Sequence, residues 1–197
     1  MGNVILGILI MAGPLAGPQT IYSLRKQFEK GLALFYQGGF GSLRAALTGL
    51  LERGEIEFEE GIERGRHKKL YRPTARGIAA FYTWMTTPIV GSDVETQALA
   101  RCYFLGLVDN PATRREILAG IVTRIEAETD GLEAIDEQLN SLDYPAALQS
   151  CLTYQRATLA YGIGAHRYAV DFFTTMRDAE TLSETKLESQ QPARPAS

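Results

Sequence analysis

Arg64, Arg66, His67, Lys68 and Lys69 fall within six residues, and a run of that kind is suited to gripping anions, phosphate above all. Glycines at 61 and 65 bracket a turn beside it, so the cations would sit at the tip of a hairpin. A second cationic candidate is Arg44. A helical period over residues 42–53 puts Leu43, Ala46, Leu47, Leu50 and Leu51 on one stripe and leaves Arg44, Ala45 and Thr48 on the other. Ala45 and Gly49 keep that outer flank low enough to approach a major groove, where an arginine in the first turn meets a phosphate or a guanine edge. Ser42 suits the N-cap, and the free N–H groups behind it can meet a phosphate oxygen. Tyr36 and Gln37, just ahead of the turn, supply further donors. Each phosphate neutralised would steepen the log–log salt dependence by about one unit.

Each of these has a plainer reading. A basic run is most often a solvated loop, Arg44 can pair with Glu52 or a glutamate of the hairpin, and Tyr36 can pack beneath the third helix. The choice depends on context. Other chemistries find no support. Cys102 and Cys151 are far apart and read as reduced, buried thiols, and His67 and His166 are too isolated to anchor a metal. No dinucleotide or phosphate-loop fingerprint, zinc-protease helix or nucleophile elbow occurs, so neither an enzyme nor a cofactor is expected.

The net charge of −3 hides an asymmetry. Residues 1–90 hold 11 Lys+Arg against 7 Asp+Glu, and residues 91–197 hold 9 against 16. A basic module joined to an acidic one is implied. At 45% hydrophobic and 22% charged, the 197 residues can build a substantial core. Val4–Met11 is apolar but lacks a basic lead and a cleavage site, and is too short to span a bilayer. The expectation is a cytoplasmic protein without membrane attachment.

The elements that must position these residues follow from periodicity. Val4–Met11 reads as a short buried helix, ended by the two Gly-Pro pairs of Ala12–Pro18. Thr20–Leu34 places Ile21, Leu24, Phe28 and Leu32 on one helical face. After the third helix the period changes: Ile56 and Phe58 alternate with Glu55, Glu57 and Glu59, and HKKLYRP returns as a second strand to Pro73. Thr74 caps a fourth helix with Ile78, Phe81 and Met85 toward the core. Three helices and a hairpin with a basic tip make a winged helix-turn-helix with a two-stranded β wing.

The remainder reads as helix. Ser92 and Glu95 form a capping box, Asn110-Pro111 starts a long helix and Tyr144-Pro145 another. Ile117, Ile121, Ile125, Leu132, Ile135 and Leu139 on the first, with Leu152, Leu159 and Phe173 on the second, are the expected dimerisation residues. Two long amphipathic helices without a sheet cannot cover each other fully, and a second chain is the usual solution. The expected division is a DNA-binding domain at 1–90, a helical dimerisation domain at 91–182 and a disordered tail at 183–197. The fold class is thus mostly α.

Phe35-Tyr36, the Gly41-Ser42-Leu43 that opens the third helix, and the G-R-x-x-K-x-Y of the hairpin (Gly65, Arg66, Lys69, Tyr71) together resemble the PadR family of bacterial transcription factors. The resemblance covers about Val4 to Val108 and, more loosely, the last two helices. It implies a winged-helix homodimer, usually a repressor, that binds double-stranded DNA and in some members a small aromatic effector such as a phenolic acid. Many members carry Tyr and Pro where this chain has Arg44 and Ala45, so the tyrosine contact does not carry over. Phe104, Tyr154, Tyr161, Tyr168 and Phe172 either line an effector cavity or serve as core and interface, the commoner fate. The competing class is a winged-helix module whose same face binds a protein, an option that the glutamates of residues 55–63 keep open.

Overall fold

The computed structural model describes residues 1–36, 38–63, 66–141 and 144–190, with the backbone alone at 63, 66 and 182–190. The chain divides into two compact units, one of Met1–Thr87 with Thr96–Asp109, the other of Pro88–Glu95 with Asn110–Ser197.

In the first unit, α1 (Gly2–Ala16) is apolar nearly all round, and Val4, Ile5, Leu6, Ile8 and Leu9 are buried. A helix of this composition belongs in a core, and α1 packs against the next three α-helices and the second strand of the hairpin. It also runs through Pro14, past the expected stop at Met11. Pro14 lies in the last turn, where its missing N–H forfeits one hydrogen bond only, and the helix ends at Gly17 (φ 64°). The next helix, α2 (Ile21–Gly31), begins where Thr20 accepts the Ser23 N–H at 3.1 Å, and turns into a 3-10 segment at Leu32–Leu34. Its buried face is Leu24 and Phe28.

The third helix, α3 (Phe40–Glu52), starts two residues before the expected cap. Gly39 is the N-cap without a side-chain cap, and Ser42, inside the first turn, donates to the Gly39 carbonyl at 2.7 Å. Ser42 therefore satisfies a carbonyl and leaves the first N–H groups of α3 uncapped by any side chain. Gly54 closes the helix at φ 67°, as its position predicts.

The antiparallel strands β1 (Ile56–Glu63) and β2 (Arg66–Pro73) pair Phe58 with Tyr71, Glu60 with Lys69 and Ile62 with His67. Gly61 lies within β1 opposite Lys68, so it is part of the ladder and not of the turn. Gln19 adds a bridge to Tyr71 with backbone bonds of 2.8 and 2.7 Å, which ties the segment before α2 to β2.

Thr74 caps α4 (Ala75–Thr86) by accepting the Gly77 N–H at 3.1 Å. Gly77, Phe81 and Met85 form its buried stripe, which leaves Ile78 at 37% exposure, one step round the helix from its expected place. The helix α5 (Val94–Phe104) begins two residues beyond Ser92, and from Thr96 onward it belongs to the first unit. Phe104 packs on Gly7 and edge-on to Phe81. The boundary expected at residue 90 thus misses a helix that the chain returns to the first core.

The second unit is an antiparallel pair, α6 (Pro111–Ser141) and α7 (Gln149–Gln190). Asn110 accepts the Ala112 N–H at 2.8 Å and Pro111 takes the first helical position. Arg114, early in α6, meets Glu180 late in α7 at 2.7 Å, and Glu133, further along α6, meets Arg167, nearer the start of α7, at 2.6 Å. The helix α7 continues through Gln190, beyond the expected start of a disordered tail at 183, because no Gly or Pro interrupts residues 183–190. Residues 191–197, like Leu142, lie outside the described ones. No described helix is long and apolar enough to cross a membrane.

Candidate nucleic-acid interface

Arg44 projects from the second turn of α3 and is exposed, as are Ala45 and Thr48 beside it, while Leu43, Leu47 and Leu50 are buried beneath. The pairing of Arg44 with Glu52 or a strand glutamate is not realised, for Arg44 makes no ion pair among the described residues. Its guanidinium lies over the Phe40 ring, 5.4 Å from the centroid. Its charge is also felt at Tyr71, where burial pushes the hydroxyl pKa up and Arg44 pulls it down. That places Arg44 within electrostatic reach of the hairpin.

Alternation along the strands divides the hairpin's charge. Glu57 and Glu59 share a face with Arg72, which meets them at 2.8 Å each. The other face carries Phe58, Tyr71, Lys69, His67, Glu60 and Ile62. Glu60 stands opposite Lys69 without an ion pair between them, and the Lys69 ammonium sits over the Phe58 ring, 4.0 Å from its centroid. Glu57 and Glu59 are therefore turned away and tied to Arg72, whereas Glu60 shares the Lys69 face.

Between α3 and β2 opens a cleft of about 1060 Å³. Arg44, Leu47, Thr48 and Leu51 form one wall, and His67, Lys68, Lys69 and Tyr71 the other. Thr20, Ile21 and Tyr22, at the start of α2, complete it. One cleft thus gathers the cations of α3 and of the hairpin. The first unit is a winged helix. Its third helix is α3, and its wing is the β1–β2 hairpin.

Of the residues expected to meet DNA, Arg44, Thr48, His67, Lys68 and Lys69 line this cleft, and Ser42 and Ala45 are exposed on the adjoining flank of α3. Tyr36 does not line it. Its ring meets Phe28 of α2 edge-on at 5.9 Å and its hydroxyl accepts from the Met1 ammonium, so these contacts are with α2 and the N-terminus and not with α3. Gln37 and Arg64 lie outside the described residues, and Arg66 is described as strand backbone only. Sequence reasoning misses Tyr22 and Phe40. Tyr22, 73% exposed, adjoins Ile21 but falls off the apolar stripe of α2, and a large aromatic left off a core stripe is the available signal.

The expected dimerisation residues divide. Ile117, Ile121, Ile125, Leu152 and Phe173 are buried within the chain, Leu132, Leu139 and Leu159 are half-buried, and Ile135 is 47% exposed. A different face of α7 is open. Tyr154, Tyr161 and Tyr168 are 72%, 79% and 72% exposed, seven residues apart, and Phe172 follows at 41% with its ring stacked on Tyr168. Of the five aromatics that could line an effector cavity, Phe104 is buried in the first unit and the other four are exposed on α7. Cys102 is half-buried with its thiol pKa raised by burial, whereas Cys151 is exposed. Among the described residues, no group of three or more His, Cys, Asp or Glu is placed to hold a metal.

No protein-family model and no curated protein matches the chain. Solved structures do. The structure of Bacillus subtilis PadR in complex with operator DNA is 19% identical, with 89% of this chain and 97% of that one covered at a TM-score of 0.40. A PadR-like transcriptional regulator from Bacillus cereus is 22% identical, with 92% and 98% covered at 0.37. The Vibrio cholerae virulence activator AphA is 15% identical, with 91% and 99% covered at 0.36. At such TM-scores the functional reading rests on the geometry of the chain itself.

Proposed function

We propose that the chain is a non-enzymatic, cytoplasmic, PadR-type transcriptional regulator that binds double-stranded DNA as a homodimer and represses by occupying a pseudo-palindromic operator. The supporting observation is the shared cleft: Arg44 from the recognition helix and His67, Lys68 and Lys69 from the wing border one opening, with no ion pair on Arg44 or Lys69 among the described residues. Cations left unneutralised on two walls of an opening suit a polyanion threaded between them. Arg44 then addresses a guanine edge or a phosphate, and the wing lysines hold the backbone. Fluorescence anisotropy with a random-sequence duplex tests this. Binding at about micromolar concentration or tighter is expected at low salt, weakening steeply as salt rises. A flat trace at low salt rejects the reading in favour of a protein-binding module.

The second copy docks on α7. Tyr154, Tyr161, Tyr168 and Phe172 repeat at helical intervals, and the exposed Ala157, Gly164 and Ala165 among them allow another helix to approach closely. Contiguous exposed aromatics of this kind are uncommon on a monomer. Tyr161→Arg places a charge in the middle of the face, and sedimentation should then give a particle near 21.7 kDa where the parent gives twice that mass. A variant that sediments as the parent does would place the contact elsewhere. A small aromatic effector, expected from the family resemblance, would alter the output only by binding two dimer geometries with unequal affinity.

A further inference from the structure

We propose that Phe40 is a positioning residue that holds Arg44 and Arg25 as a pair of guanidinium groups, and so recruits α2 into DNA binding. The inference rests on the DNA-binding reading above. Phe40 is half-buried at the first position of α3, and its ring has Arg44 at 5.4 Å and Arg25 at 5.9 Å from the centroid, with the Tyr22 ring 6.3 Å away. An aromatic face attracts a cation without neutralising it, so the contact with Phe40 does not itself cancel either guanidinium charge.

Stacking uses the flat face of a guanidinium and leaves its in-plane N–H donors pointing outward. It also restricts a flexible side chain before any ligand arrives, which lowers the ordering cost of binding. The uncapped N–H groups behind Gly39 add positive character at the same place. Arg25 presently meets Glu29 at 2.6 Å, but both side chains are about half exposed (52% and 53%) and arginine precedes glutamate. That is the weaker i,i+4 order, so a phosphate can displace Glu29.

A Phe40 that merely packed the start of α3 could be replaced by leucine. The test is duplex affinity by anisotropy for Phe40→Leu and Phe40→Tyr, in the parent and in an Arg25→Ala/Arg44→Ala background. Phe40→Leu should weaken binding about three- to tenfold, and Phe40→Tyr should bind as the parent does. In the double-alanine background Phe40→Leu should change nothing. Parent-like affinity for Phe40→Leu, or an equal loss in both backgrounds, overturns the proposal while leaving the DNA-binding reading intact. A parent that binds no duplex overturns both. If Phe40→Leu melts early, Arg25→Lys and Arg44→Lys decide, because lysine keeps the charge without the flat fork. Each should lose affinity, and parent-like binding by both overturns the proposal.

Discussion

Replacing both Lys68 and Lys69 by alanine is expected to weaken duplex binding by roughly ten- to a hundredfold at low salt, equally for every sequence, and to flatten the log–log salt slope by about two. Both lysines border the cleft on the wing side. Lys69 makes no ion pair among the described residues and its ammonium rests on Phe58, so its charge is held in place and available. Within the protein, Lys69 gives up one exposed cation–π pair of about 0.5–1 kcal/mol. Salt slope is the informative readout: a lysine that only shaped the wing would lower affinity without altering it. Anisotropy titrations at several salt concentrations, with the parent alongside, measure both quantities. An unchanged slope would remove the wing from the DNA surface.

The second large effect concerns stability. Gly77→Ala is expected to destabilise the winged helix by on the order of 3 kcal/mol or more, a fall of roughly 15 °C in Tm for a unit of this size. A Cβ at Gly77 would lie 1.9 Å from the Glu55 carbonyl oxygen and 2.8 Å from its carbon, with Leu6 at 3.0 Å beyond. The first two atoms are backbone and cannot rotate away. That carbonyl also accepts the Thr74 N–H at 3.0 Å, while the Glu55 N–H bonds the Leu50 carbonyl at 2.9 Å. The clash therefore strikes where the end of α3, the start of β1 and the cap of α4 meet. Gly106→Ala is the control, because a Cβ there meets nothing within 4 Å. Thermal melts by circular dichroism distinguish the two. Equal Tm values would mean that α4 can withdraw from Glu55 at little cost.

Much of this architecture is legible in the sequence where the local signals agree with the tertiary packing. Thr20 and Thr74 cap the helices that they precede, Gly54 takes the left-handed turn after α3, and the change of period at Ile56 marks the wing. The cleft residues Arg44 and Lys69 are legible for the same reason: helix and strand periods fix which side chains share a face. The failures share one cause, which is information held by partners distant in sequence. Pro14 reads as a breaker because its forfeited hydrogen bond is visible locally, whereas the burial that carries α1 past it is not. Gly61 reads as a turn residue although the register places it opposite Lys68. The return of α5 to the first unit depends on Phe104 finding Gly7, nearly a hundred residues earlier.

Which apolar residues of α6 and α7 stay exposed is hidden from the sequence for a related reason. Periodicity assigns the leucines and isoleucines of α6 and α7 to a second chain, but the two helices use many of them on each other within the chain. What remains exposed is aromatic and amphipathic, the composition more typical of an interface than of a core.

The claim on which everything else depends is that the recognition helix and the wing form one surface that takes a duplex. Amide chemical-shift mapping by NMR, with a short operator-like or random duplex titrated in, tests it directly. Perturbations should cluster at residues 40–48 of α3 and 66–71 of β2, with smaller ones at 20–25. Shifts confined to the second unit, or absent altogether at low salt, would contradict the account.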